Sequence, residues 1–362
     1  MRRTILHIAY PLTPVSTDTV GGSEQMLALL DRELTAAGHD SLVLAAAGSK
    51  VAGRLIASPP APARLDDEAR RMGQEAHAEL IRDTLSRYPV DLIHMHALDF
   101  WAYLPGDGVP TLTTLHLPPD WYPDWVFRMG RREFYMNCVS YSQHRSCPSS
   151  QHLLPPILNG VDVARFGCKA PRRGYVLALG RICPEKGFHH ALDAAKEAGV
   201  EMILAGEVFP YDAHLRYFEE EIRPRLDNKR RFIGPVGFEK KRRLLGQARC
   251  LLVPSTVAET CSLVSMEALA SGTPVVAYRS GALPEVVEHG VTGYVVSGVE
   301  EMAEAIGKVG ELQAEVCRRA ARERFSSREM VQQYFNLYQK LTASPAYLAT
   351  PRLRPGISWL MA

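Results

Sequence analysis

ETCSLVSMEALASGTPVVA, residues 259–277, decides how the chain is read. Its middle is a helix that is apolar almost all round, through Leu263, Val264, Met266, Ala268, Leu269 and Ala270. A helix of that kind is buried. A short apolar run, the strand candidate 274–278, follows at once. A buried helix feeding a buried strand is the repeating unit of a parallel sheet covered on both faces. Two carboxylates interrupt the pattern. Glu267 stands on the face of Leu263 and Val264, and Glu259 stands just before the helix. Carboxylates are rarely buried without partners. Each is read either as an acceptor for neighbouring hydroxyls or as half of an ion pair with a core Arg or Lys.

The same alternation extends outward through most of the chain. Apolar runs predict strands at 4–9, 41–46, 91–96, 111–116 and 138–141. After a basic stretch, CKAPRRG at 168–174, they resume at 175–179, 201–205, 231–233, 250–253, 274–278 and 293–296. Helical patterns lie between them. The fold class is therefore α/β, with two doubly wound parallel-sheet domains in tandem, 1–168 and 169–325. Proteins of this kind hold ligands in a cleft at the carboxyl ends of the strands. The Pro/Ala-rich segment 57–67 reads as a plain connector. A long amphipathic helix spans 326–341, and the tail 342–362 has three prolines and no clear period.

Composition bounds the function. The 362 residues carry a net charge of +2, too near neutral to imply nucleic-acid binding. The start, MRRTILHIAYP, lacks the long apolar core of a signal peptide and reads as a buried strand. No apolar stretch approaches the ~20 residues that span a membrane. Seven cysteines, an odd number without CxxC or His-Cys spacing, predict reduced thiols, a cytosolic setting and no structural zinc.

Four motifs carry candidate chemistry. TVGGSEQ, 19–25, follows the first strand and opens the first helix. Gly21 and Gly22 let the backbone approach a ligand, and the helix start offers free N–H groups that suit a phosphate. GRICPEKG, 180–187, follows the first strand of the second half. Its Arg181 and Lys186 are placed to hold a diphosphate and stabilise it as it leaves, unless they are merely solvated cations. In the opening stretch, a helix beginning near Cys261 points the amides around Ser262, Leu263 and Val264 at the cleft. Glu267, one to two turns in, suits a ribose diol, and Glu259 at the mouth suits sugar hydroxyls. Finally, His116 ends an apolar strand, a place that fits either a structural or a ligand-facing ring. HMH at 94–96 ends another strand; its two rings are read on opposite faces, which sets aside a metal pair. No P-loop, GxSxG, zinc-spaced His/Glu set or acidic DxD is present.

GGSE, TLH, NGVD (159–162), GR..PEKG, AGE (205–207), two glutamates with seven residues between them, SGTPVVA and GALPEVVEHGVTGYVV (281–296) occur in that order. Together they resemble the retaining glycosyltransferases of family 4 (glycosyl transferases group 1), which have the GT-B fold of two Rossmann-like domains facing a cleft. The resemblance covers roughly residues 4 to 340. It implies a hexosyltransferase that uses a nucleoside diphosphate sugar, UDP- or GDP-linked, as donor substrate and needs no cofactor or metal ion. The acceptor would be a sugar, a lipid-linked glycan or a small molecule. The setting would be cytoplasmic, with peripheral contact at the inner membrane face admitted. By motif position, Arg181 and Lys186 would hold the diphosphate and Glu259 the transferred sugar. Glu267 would bind the ribose, Ser262 to Val264 phosphate or sugar, Gly22 the diphosphate, and His116 donor sugar or acceptor. The last helix would cross back to the first domain. One departure stands out: Thr260-Cys261-Ser262 replaces the Gly-Phe-Gly common after the first glutamate, which bears on sugar identity. On the acceptor side, residues 118–134 are aromatic and basic; they are read as a loop and helix that pack their aromatics into the first domain, the alternative being an exposed carbohydrate-stacking or membrane-skimming patch. An epimerase or hydrolase of nucleotide sugars with this fold, and a non-catalytic sugar-nucleotide-binding partner, are the alternatives.

Overall fold

The structure, a computed structural model, describes residues 2–343 apart from Asp18, Val20, 61–65, 168–170 and Arg172. The tail beyond 343 lies outside the described residues. Among the described residues, twelve strands form two six-stranded sheets. The first holds β1 (Thr4–Ile8), β2 (Asp40–Ala46), β3 (Arg54–Ser58), β4 (Leu92–Met95), β5 (Thr111–Leu115) and β6 (Phe134–Cys138) in the order β3-β2-β1-β4-β5-β6. The second holds β7 (Val176–Leu179), β8 (Met202–Ala205), β9 (Arg230–Phe232), β10 (Cys250–Val253), β11 (Val275–Tyr278) and β12 (Gly293–Val296) in the order β12-β11-β10-β7-β8-β9. Every pairing between neighbours is parallel.

Eleven helices connect the strands among the described residues. They are α1 (Gly22–Ala36), α2 (Asp67–Arg87), α3 (Tyr141–Ser146), α4 (Phe188–Glu197), α5 (Asp212–Tyr217), α6 (Phe238–Gln247), α7 (Leu263–Ala270), α8 (Leu283–Val286), α9 (Val299–Lys308), α10 (Ala314–Arg324) and α11 (Ser327–Ala343). Strands such as β10, CLLV, are buried along their whole length. That is why they read as continuous apolar runs rather than alternating ones. Apolar clusters line both faces of each sheet. Helix α7 buries six of its eight residues among them, which explains its all-round apolar surface.

Two elements differ from the sequence reading. The strand expected at 138–141 ends at Cys138, because Ser140 caps α3 by accepting from the Gln143 amide. The supposed connector 57–67 begins inside β3, an edge strand with one buried residue in five, too short and too open to leave a clear period. Packing changes sides between Ile157, in the first sheet's core, and Val161, in the second's. The chain returns after Phe325. Met330, Tyr334, Tyr338 and Leu341 of α11 then pack against the first sheet. The Tyr334 and Tyr338 hydroxyls there meet Thr114, Asn137 and His94.

Candidate active site at the facing switch points

Strand order reverses once in each sheet, between β1 and β4 in the first and between β7 and β10 in the second. Backbones diverge at such a point and leave a crevice beyond the carboxyl ends of the strands. GGSE follows β1, GR..PEKG follows β7, and the opening stretch follows β10. The sequence motifs thus stand around the two switch points.

Arg181 is exposed just past β7. Lys186 ends a 3-10 turn, Pro184–Lys186, which Gly187 closes in the left-handed region at φ 61. A Cβ on Gly187 would lie 2.3 Å from the Pro254 carbonyl oxygen, so only glycine lets this turn rest on the loop after β10. Across the switch point the Lys186 Nζ lies 2.5 Å from the Glu259 Oε1. Ser255 donates to the same oxygen. Glu259 is 8% exposed, so this pairing answers why a carboxylate is tolerated there.

Glu267 is buried on α7 and its Oε1 receives the Lys241 Nζ of α6 at 2.6 Å. Burial pushes its carboxyl up from the ordinary range, and Lys241 opposes that shift. Both glutamates of the opening stretch are therefore ion-paired with lysines, one of which, Lys241, the sequence reading missed. Nothing in its basic surroundings, EKKRR, distinguishes it from a solvated face.

Helix α7 starts at Leu263 with Ser262 as N-cap, two residues later than the sequence suggests. The Ser265 and Met266 amides reach back to the Ser262 carbonyl. The amides of Leu263 and Val264 precede the first helical bond and have no intrahelical acceptor. The Ser262 hydroxyl meets that of Ser265 at 2.7 Å. Thr260 turns the other way and donates to the His116 carbonyl at 2.9 Å, joining the two halves. A Cβ on Gly22 would sit 3.3 Å from Leu263, so the two motif helices meet end to end.

The glycine turn holds a surprise. Gly21 is the N-cap of α1. A Cβ on it would fall 1.9 Å from the Glu24 Oε2, so the Glu24 carboxyl folds back over the turn. Ser23 donates to that oxygen at 2.9 Å. The position read as a phosphate cradle thus holds the protein's own carboxyl. Glu24 is 5% exposed, and burial raises its pKa, against its own amide, Ser23 and nearby Arg181. The signal for it was present in the quoted motif.

His116 follows β5. Its ring Nε2 is 3.4 Å from the His96 Nδ1, and the His96 Nε2 is 3.3 Å from the His7 Nδ1. Burial lowers the pKa of His116 and His7 to about 4 and those of His94 and His96 well below the usual value. A neutral imidazole row thus runs from the seam into the first sheet. His94 and His96 are not on opposite faces as expected. Residues two apart share a face, and their rings lie 3.9 Å apart by centroid. One ring nitrogen from each of His7, His94 and His96 falls within a 4.8 Å group, a grouping the sequence reading had set aside. In the segment 118–134, Tyr122, Val126, Phe127 and Phe134 are buried, whereas Trp121 and Trp125 are about half exposed. Only part of that segment turns inward.

Comparison with known proteins follows the same division. The family model described as "Glycosyl transferases group 1" matches residues 173–311, and that described as "Glycosyltransferase Family 4" matches residues 20–152. A glycogen synthase of Mycobacterium tuberculosis is 34% identical over 184 residues, 47% of this chain and 44% of the relative. The chain thus spans under half the length of that relative. A phosphatidyl-myo-inositol mannosyltransferase of Mycobacterium leprae is 26% identical over 350 residues, 85% of this chain and 88% of the relative. A crystal structure of Anabaena Alr3699/HepE in complex with UDP-glucose superposes with a TM-score of 0.72 at 19% identity. That match covers 92% of this chain and 98% of the other. Among the described residues, no helix is long and apolar enough to cross a membrane.

Proposed function

The chain belongs to the group 1 and family 4 glycosyltransferases of GT-B fold, and from that premise we propose that it moves a hexosyl group from a nucleoside diphosphate sugar to a carbohydrate, lipid-linked or small-molecule acceptor. The observation that carries this reading is the pairing of Lys186 with Glu259 across the switch point. In the absence of donor each holds the other. With donor bound, Lys186 and Arg181 take the diphosphate, and Glu259 is released to accept hydrogen bonds from the sugar. The free amides of Leu263 and Val264, with Ser262, meet phosphate or sugar at a positive helix end. Gly21 and Gly22 allow the same from α1 once the Glu24 carboxyl moves aside. Lys241 fixes one oxygen of Glu267 and leaves the other for the ribose diol. His116, neutral at physiological pH, orients donor sugar or acceptor rather than adding charge.

We further propose that transfer retains the anomeric configuration and proceeds without a metal ion at the diphosphate. Two cations and two helix ends supply the charge that a divalent ion gives a departing diphosphate elsewhere. Support for a UDP-linked donor is the likeness to a fold that holds UDP-glucose; support for a hexosyl group as the unit moved is the mannosyltransferase relative. The odd cysteine count supports a cytoplasmic setting. The half-exposed Trp121 and Trp125 support an amphipathic acceptor met at a membrane surface.

The test is a panel of UDP- and GDP-sugars with candidate acceptors, scored for acceptor-dependent release of the nucleoside diphosphate and for the anomer formed. Release without acceptor, or epimerised donor, replaces transfer by hydrolysis or epimerisation. Tight donor binding with no turnover across the panel makes the protein a binding partner.

A further inference from the structure

Beside the diphosphate loop stands a second constellation that the transfer reaction does not use. Cys183 is fully buried and immediately precedes the turn Pro184–Lys186. Its Sγ, a carboxylate oxygen of Glu185 and a ring nitrogen of His214 all lie within 4.8 Å of one another. His214 comes from α5, which packs against that turn. Its Nδ1 is buried and has no hydrogen-bond partner. Thiolate, carboxylate and imidazole are the ligand types of a zinc site with one open position. Bonds of ~2.0–2.3 Å require the three atoms to close by roughly an ångström, within reach of side-chain rotation.

The rival cluster, His7, His94 and His96, is less suited. Both ring nitrogens of His94 are taken, by Tyr338 and Thr114, and His96 is bonded on both sides. Three neutral rings at 0–1% exposure would also leave a dication without an anionic ligand.

We propose that Cys183, Glu185 and His214 bind a zinc-class divalent cation, which ties α5 to the loop that carries Arg181 and Lys186. The ion exchanges for the thiol proton, so the local charge rises by one unit on binding. That change at Cys183, two residues from Arg181 and three from Lys186 in sequence, favours an incoming diphosphate; this second half rests on the donor reading above. By linkage, donor and metal then raise each other's affinity by the same factor.

The experiment titrates the purified full chain with Zn2+ against a chromophoric chelator. One zinc per chain is expected, weakened by more than about tenfold in Cys183→Ser and in His214→Asn and kept in Cys138→Ser. Thermal melts establish that each variant is folded. Should Cys183→Ser fail to fold, Co2+ on the unaltered chain serves instead: a thiolate-to-cobalt charge-transfer band that Zn2+ bleaches supports the site, and its absence overturns it. Wild-type chain that fails to compete with the chelator, or a Cys183→Ser/His214→Asn variant that binds as before, also overturns it. UDP and GDP affinities are then compared with and without Zn2+. Tighter binding with zinc supports the coupling, and equal binding refutes it. Zinc bound with neither nucleotide bound refutes the donor reading alone.

Discussion

The Thr260 hydroxyl donates to the His116 carbonyl at 2.9 Å, so the loop that carries Glu259 is tied to the opposite sheet. By the motif resemblance, Thr260 replaces a glycine, which has no side chain to make this bond. Thr260→Ala removes one hydrogen bond, worth about 1 kcal/mol. The expected outcome is a slightly lower melting temperature and a larger radius of gyration by small-angle scattering without donor. An unchanged radius would mean that the bond does not hold the seam.

Lys186→Ala leaves the carboxylate of Glu259 without its cation. A fully buried pair broken this way loses about 3–5 kcal/mol. Lys186 keeps 31% exposure, so water takes up part of that loss, and about 1–2 kcal/mol is expected. Transfer should fall by about 10²–10³. Adding Glu259→Gln restores most of the stability and none of the activity. Urea titrations and initial rates on the two single variants and the double variant separate these effects.

Glu24→Ala clears the carboxyl from the N-terminus of α1. A charge at a partly buried helix end is worth up to ~2 kcal/mol. Free UDP or GDP should therefore bind about tenfold more tightly to the variant, measured by calorimetry. Because burial raises this carboxyl above 4.5, the folded state binds more protons than the unfolded one just above that pH. Its contribution then falls as pH rises through the interval, and Glu24→Gln should flatten that part of the stability curve.

The imidazole row predicts the opposite slope. His7 and His116 titrate near 4 in the folded chain, and burial holds His94 and His96 well below the ordinary value, against 6.5 unfolded. Between those values the unfolded state binds more protons. Stability is complete above 6.5 and is lost as pH falls toward 4, at about 1.4 kcal/mol per pH unit for each histidine. Asp31, near His7, opposes the loss. Denaturant midpoints from pH 7 to 5 should show the decline, and His7→Asn should reduce its slope. A flat profile would contradict the burial of the row.

The alternation of apolar runs made the two sheets legible, because a strand covered on both faces must be apolar throughout. The edge strand β3 has no such obligation and stayed hidden. Motif order likewise exposed the loops after β1, β7 and β10. What it left out were side chains chosen by three-dimensional neighbours. Lys241 is one cation in a basic helix until α6 lies beside Glu267. His94 looks like a lone strand-end ring until Tyr338, 244 positions away in the chain, meets it. Glu24 was visible within its motif, yet only the fold shows its carboxyl bent back over Gly21.

The two crossings between the sheets lie side by side. The Val161 amide bonds to the Phe325 carbonyl and the Ser327 amide to the Val161 carbonyl, at 2.8 and 2.9 Å. Gly160 is so close that a Cβ would meet Ser326 and Ser327 at 2.7 Å. The halves are therefore hung like a door on two adjacent pins rather than on a single tether. Rotation about the line through both pins would keep these bonds, whereas sliding one crossing past the other would break them. A rotation of that kind would return the same loops to the same opposite number, so a site divided between two bodies would keep its register.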